Sequence, residues 1–260
     1  PGVHSRGSRT GSAIGNLAHN CPSSDPHRTT TQIPVRKGEV VEVLLDVGGA
    51  DPKATTATGM DALMFAAIGG QAGNVAAWMR RFPEWDLERK DSIAGNTALS
   101  FAVQFGPDKV PTVEALLAAG ANSAHVTNSG DTVLMSAAQN PDADAALVRR
   151  LLQISEVAQT VDARVVPRTL LWKTIRGVAR VAVLLGSKNG LFSFLARTRK
   201  GTALHCAVES KNVTVVQALT EEGGADKKAR TGQGKTALEF AYEAYGGRLA
   251  TPTEIVSALR

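Results

Sequence analysis

Cysteine is nearly absent: Cys21 and Cys206 are the two in 260 residues. That excludes a disulfide framework and a zinc site of ordinary ligand spacing, and points to a reducing, intracellular compartment. Cys206 follows Leu204 at a position that takes a small residue, so it reads as a buried hydrophobe and not a reactive thiol. Aromatic residues are scarce too, 5% against a hydrophobic content of 43%. A core must therefore be packed from Ala, Val and Leu, as thin helical layers are. No eighteen-residue apolar run free of charge occurs, since the most apolar stretch, 178–195, holds Arg180 and Lys188. A membrane-spanning helix is thus not expected. Patterns that carry chemistry are missing as well. His4, His19, His27, His125 and His205 stand far from one another, and no nucleophile elbow, carboxylate pair or metal motif accompanies them. No enzyme activity, cofactor or metal is expected.

What the chain does contain is one phrase written five times. The copies are GMDALMFAA from Gly59, GNTALSFAV from Gly95, GDTVLMSAA from Gly130, GTALHCAV from Gly201 and GKTALEFAY from Gly234. Their leucines, Leu63, Leu99, Leu134, Leu204 and Leu238, are separated by 36, 35, 70 and 34 residues, and the long step reads as two steps with one copy worn away. A period in the middle thirties is the mark of a helical solenoid. A second phrase follows each copy or precedes it, as in VEVLLDVGGAD from Val41, VEALLAAGAN from Val113 and VVQALTEEGGAD from Val215. Each unit is then two short helices and a turn. Thr or Asp caps the first helix, Leu enters the core, small Ala residues admit the neighbouring helix, and Gly ends the second helix in a left-handed conformation.

These residues resemble the ankyrin repeat, whose pattern runs G-x-T-P-L-H-x-A-A, then V-V-x-L-L, then G-A-D. The resemblance covers about residues 38–260. Departures are consistent: Ala62, Ala98, Val133, Ala203 and Ala237 replace the proline, and the family histidine survives only as His205. The resemblance implies an all-α solenoid of about six helix-turn-helix units with short hairpin-like turns. In it, His205 braces the loop between repeats.

Aligned on the leucines, the units fall at about 32–54 (half a repeat, serving as a cap), 55–90, 91–124, 125–160, 161–196, 197–230 and 231–260. The slot at 161–196 is degenerate. Leu170 takes the place of the core leucine there, Gly177 takes the turn, and an irregular connection is expected between Gly186 and Arg197. Residues 1–31 have no hydrophobic periodicity and one acid, Asp25, and read as an extended arm without a core. Their composition fits a linker and also the remnant of an organelle-targeting segment, which would place the protein in a plastid or mitochondrion and not the cytoplasm.

Two motifs are decoys. Ala229 to Thr236 fits a loose phosphate-binding loop, but a polar turn precedes it where a buried strand is required, and the repeat phrase already accounts for Gly234 onward. Asn212-Val213-Thr214 matches a glycosylation acceptor by chance.

Function is left to surface. In the ankyrin family, the turn tips and two positions after the Ala pair line a concave, partner-binding face. Carried across, these are Ala57, Thr58, Met60, Ile68 and Gly69; Ile93, Ala94, Asn96, Gln104 and Phe105; and Asn128, Ser129, Asp131, Gln139 and Asn140. Met60, Ile68, Ile93 and Phe105 would make one end of that face apolar. Charge is segregated as well: from Arg164 to Lys200 there are nine basic residues and no acid, and the net charge of +5 arises there. This stretch, with Arg164, Arg168, Lys173, Arg176, Arg180, Arg197, Arg199 and Lys200, is either a solvated face or a docking patch. The patch would suit an acidic protein or anionic lipid, and nucleic acid less well because stacking aromatics are few. The expected function is a non-enzymatic protein-binding module, a scaffold subunit or adaptor. The alternative is a targeting or regulatory fragment of an enzyme whose catalytic part lies outside this chain.

Overall fold

The structure, a computed structural model, describes residues 39–105, 109–166, 168–185 and 201–260. The arm at 1–31 and the basic residues Arg197, Arg199 and Lys200 lie outside the described residues, as does the connection expected after Gly186. Among the described residues there is no strand beyond two isolated bridges, Val126 to Thr132 and Arg230 to Thr236.

Five first helices run Ala62–Ile68, Ala98–Gln104, Val133–Gln139, Ala203–Glu209 and Ala237–Ala244. Each begins where the repeated phrase supplies an oxygen to a free helix amide. Asp61 accepts from the Met64 N–H at 2.9 Å, Thr97 from Ser100 at 3.4 Å, Thr132 from Met135 at 3.2 Å and Thr236 from Glu239 at 3.3 Å. At Thr202 the cap is reciprocal, with the backbone N–H donating to His205 Nδ1 at 3.3 Å. The second helices are Ala72–Arg81, Val110–Ala118, Ala145–Leu152, Val213–Gln217 with a π-helical turn Ala218–Glu222, and Thr253–Leu259. Ahead of them Glu39–Glu42, with a π-helical turn Val43–Val47, packs on Ala72–Arg81.

First helices stack on first helices, and second on second. Leu63, Leu99, Leu134 and Leu204 are each no more than 1% exposed, and Leu238 in the last unit is half-buried. The layers are thin because Ala67, Ala102, Ala137, Ala207 and Ala241 are all fully buried at the helix interfaces.

The structure departs from expectation at the degenerate slot. Val133–Gln139 packs directly on Ala203–Glu209, so no unit stands between them. Ser210 Oγ donates to the Ala138 carbonyl at 2.8 Å and Asn212 Nδ2 to that of Ala143 at 2.8 Å, while Arg149 pairs with Glu222 across the second helices at 2.6 Å. Leu170 is 76% exposed, and one uninterrupted helix, Leu170–Leu184, runs through Gly177 where a turn was expected. The cause lies at the hairpin bases. In a regular unit the Thr127 N–H donates to the Asp131 carbonyl at 3.0 Å; in the next, the Val165 N–H donates to the Gly201 carbonyl at 3.1 Å. The same hydrogen bond closes a loop of four residues in one case and of 36 in the other. The slot at 161–196 is thus not a worn unit but an insertion at one hairpin tip.

Candidate partner-binding surface

The tips are built by the residue that opens each turn. The Thr56 hydroxyl accepts the Met60 N–H at 3.1 Å, that of Thr127 accepts the Asp131 N–H at 3.1 Å, and that of Thr231 accepts the Gln233 N–H at 3.2 Å. In the second complete unit Asp91 does more. Its buried carboxylate accepts the amides of Ile93 at 2.9 Å, Ala94 at 2.8 Å and Asn96 at 2.6 Å. That satisfies an otherwise costly buried charge and fixes the tip that carries Ile93. Tip glycines take the left-handed conformation, as at Gly95 with φ +71°, where a Cβ would stand 2.7 Å from Asn128 Cγ. Successive tips are joined: the Ser92 N–H donates to the Thr58 carbonyl at 2.8 Å, Asn128 to Ala94 at 2.7 Å, and Arg168 to Asn128 at 3.1 Å. The root of the insertion continues the same ladder.

Histidine braces the units from two sides. His205 Nε2 lies 3.3 Å from the Lys235 carbonyl, as the family resemblance implies. His125 Nε2 lies 2.8 Å from the Gly95 carbonyl, a brace pointing back to the preceding unit that the repeated phrase does not announce. Burial holds the His125 ring below its ordinary pKa, with the bond to Gly95 opposing in part. Lys109 is a second unannounced brace. It is buried, and its ammonium donates to the Ile68 carbonyl at 2.6 Å, at the C-terminal end of the preceding unit's first helix. Burial lowers its pKa.

The expected contact residues divide by exposure. Ala57, Gly69, Ile93, Phe105 and Gln139 are exposed, with Ile93 at 57%. Thr58, Met60, Ile68, Ala94, Gln104, Asn128, Ser129 and Asp131 are half-buried, Met60 and Ile68 lying against the core. Asn96 and Asn140 are buried, which corrects their assignment to a contact surface. Asn140 instead ties units together, Nδ2 donating to the Val103 carbonyl at 3.4 Å and Oδ1 accepting the Asp142 N–H at 3.0 Å. Gln139 donates to Asp131 Oδ1 at 3.0 Å, and Ser129 donates to the same carboxylate. Phe65 went unnoticed in the sequence, yet it is exposed on the first helix of the first complete unit. Its counterparts Phe101 and Phe240 in the repeated phrase are buried.

Of the basic residues, Arg164, Arg168 and Lys173 are exposed, and Arg176 and Arg180 lie on Leu170–Leu184. The Trp172 indole donates to the Ile93 carbonyl at 3.0 Å, fastening that helix to the second tip. Both decoys resolve structurally. The stretch 229–236 is a hairpin tip whose Lys235 pairs with Glu243 at 2.6 Å, and Asn212 is buried as a helix cap. Cys206 is buried, which pushes its thiol pKa up. Among the described residues no three His, Cys, Asp or Glu side chains group to hold a metal, and no helix is long and apolar enough to cross a membrane.

A family model for the ankyrin repeat matches residues 201–232. A chain from the complex of the Bd0816 predatory endopeptidase of Bdellovibrio bacteriovorus with immunity protein Bd3460 is similar in structure. It aligns at a TM-score of 0.53 and 25% identity, over 85% of this chain and 96% of that one. The ankyrin repeat domain of Bcl-3, a member of the IkappaB family, aligns at a TM-score of 0.54 and 23% identity, over 88% of this chain and 78% of its own. No curated protein sequence matches the chain. Stacked helix pairs with joined tips define a helical repeat solenoid. The fold is that of an ankyrin repeat solenoid, and residues 201–232 match the ankyrin repeat itself; ankyrin repeats are protein–protein interaction modules.

Proposed function

We propose that this chain is a non-catalytic scaffold subunit or adaptor that binds a partner protein through the tips and first helices of its first two complete units. The observation that carries this is the exposure of Phe65, Ile93 and Phe105 within those tips and helices or at their ends, where Met60 and Ile68 are half-buried. Three large apolar side chains in water have a free-energy reason to be covered, and aromatic anchors ringed by polar groups are what partner surfaces select. Gln139, Asn128 and Asp131 supply a polar margin in the third unit. The resemblance to a chain from a protein–protein complex agrees with partner binding.

Affinity purification with mass spectrometry, run on the wild type beside Phe65→Asp and Phe105→Asp, tests the assignment. Companions recovered in stoichiometric amount with the wild type should be lost with either variant while the thermal midpoint stays within a few degrees. Companions retained by both variants would remove this surface from consideration.

A further inference from the structure

The insertion helix Leu170–Leu184 carries an apolar stripe against which no described helix packs. At 3.6 residues per turn, Leu170, Thr174, Gly177, Val178, Val181 and Leu185 fall within one side of the helix. Each is exposed, Val181 at 54% and Leu185 at 82%. Thr174, Gly177, Val178, Val181 and Leu185 line an open, almost wholly apolar groove of about 620 Å³. Trp172 and Ile175 are half-buried on the opposite side, and the Trp172 bond to the Ile93 carbonyl lies there. No described helix packs along Leu170–Leu184. Trp172 therefore tethers the helix by its back, and the apolar residues of the stripe are exposed.

Charge identifies what would cover that side. Residues 164–185 hold Arg164, Arg168, Lys173, Arg176 and Arg180 and no acid. Lys173, Arg176 and Arg180 recur at steps of three and four, a single line of positions beside the apolar stripe. An apolar stripe flanked by cations, on a helix too short to span a bilayer, has the pattern of a helix lying in the membrane interface: the stripe enters the acyl boundary and the cations meet headgroup phosphates. A protein partner of ordinary composition would need both an apolar groove and a surrounding acidic field. An anionic bilayer offers both everywhere.

We propose that Leu170–Leu184 docks this protein onto anionic lipid surfaces, lying parallel to the membrane with Val178, Val181 and Leu185 inserted. The two proposals name different side chains, Phe65 and Phe105 for a protein partner and Val178 and Val181 for lipid, so the variants of each pair test them separately.

Co-sedimentation of the full chain with vesicles tests it, using phosphatidylcholine alone and phosphatidylcholine with about one-third phosphatidylserine. Binding to the anionic vesicles should be at least tenfold tighter than to neutral ones and should weaken between 50 and 500 mM salt, about a threefold change in Debye length. Val178→Asp and Val181→Asp change exposed positions, so they should abolish binding with the thermal midpoint unchanged. Three results would each overturn the proposal. One is no vesicle binding at low salt. The second is binding indifferent to both aspartates, which would mark simple attraction by a basic chain. The third is equal capture of a polyglutamate resin, or a dimer in solution dissolved by Val181→Asp, which would assign the stripe to a protein.

Discussion

Two hairpins in this molecule have the same base and different tops. At Thr127 the turn closes in four residues, and the threonine hydroxyl folds back onto the Asp131 amide. At Val165 the same backbone bond closes a loop of 36, and the residue opening the turn has no oxygen to close a tight tip. Beneath both, the helices stack alike, with Leu134 and Leu204 buried in neighbouring layers. The lesson concerns where repeat geometry resides. It is fixed by the bond at the hairpin base and by Ala-lined helix contact, and it is nearly indifferent to what lies between. Closure entropy explains the tolerance. Growing with the logarithm of length, lengthening from four to 36 residues costs about 2 kcal/mol, less than one buried leucine contributes.

The sharpest contrast between the regions is between two leucines that share the repeat spacing. Leu134→Ala should destabilise the chain by about 2–5 kcal/mol, since it empties a fully buried site, whereas Leu170→Ala should stay within about 0.5 kcal/mol. Urea denaturation of the pair checks this, and equal losses would mean the insertion is part of the core. Next in size is Asp91→Ala. It strips three amides of one buried acceptor and should cost on the order of 1–3 kcal/mol, with faster hydrogen exchange at Ile93, Ala94 and Asn96. Unchanged exchange there would deny the carboxylate its role in holding that tip.

Replacing 167–199 by Asn-Gly, together with Val165→Thr, turns the open hairpin into a closed one. It should leave folding cooperative and raise stability by up to about 2 kcal/mol in the same assay. A loss of several kcal/mol would instead mean that a true unit had been removed. The smallest effect concerns His125. Burial favours its neutral form, so the folded pKa lies below the ordinary value of 6.5. As the pH falls below about 6.5 the unfolded chain takes up the proton first, so stability declines toward the folded pKa, while above that range the contribution is complete. His125→Gln should therefore lose less stability than the wild type between pH 7 and 5, measured by thermal midpoint. Identical pH slopes would clear His125 of this role.

Much of the fold was legible because the phrase repeats cause with effect. Asp61, Thr97, Thr132, Thr202 and Thr236 each cap the helix they precede, and the leucine two residues on is buried in four cases of five. The insertion was misread because Leu170 falls 36 residues after Leu134 and 34 before Leu204, so a coincidence of spacing imitated a repeat. The contrary signals were chemical: no glycine-threonine pair before Leu170, and Val165 where other tips open with Thr or Asp. The contact surface was legible only in outline. Period alone cannot distinguish a tip residue whose side chain faces solvent, such as Ile93, from a buried one, such as Asn96. Nor does it register Lys109 or His125, whose roles depend on carbonyls 41 and 30 residues away.

The central claim is that the third complete unit meets the unit after the insertion directly. Spin labels at Arg149→Cys and Glu222→Cys, in a Cys21→Ser, Cys206→Ala background, read that junction, since the two native side chains touch at 2.6 Å. Pulsed electron resonance should give one narrow, short distance that is unchanged when 167–199 is replaced by Asn-Gly. An interposed helix pair would lengthen it by about 8–10 Å, one interaxial spacing. That longer distance in the wild type, collapsing on deletion, would contradict the account.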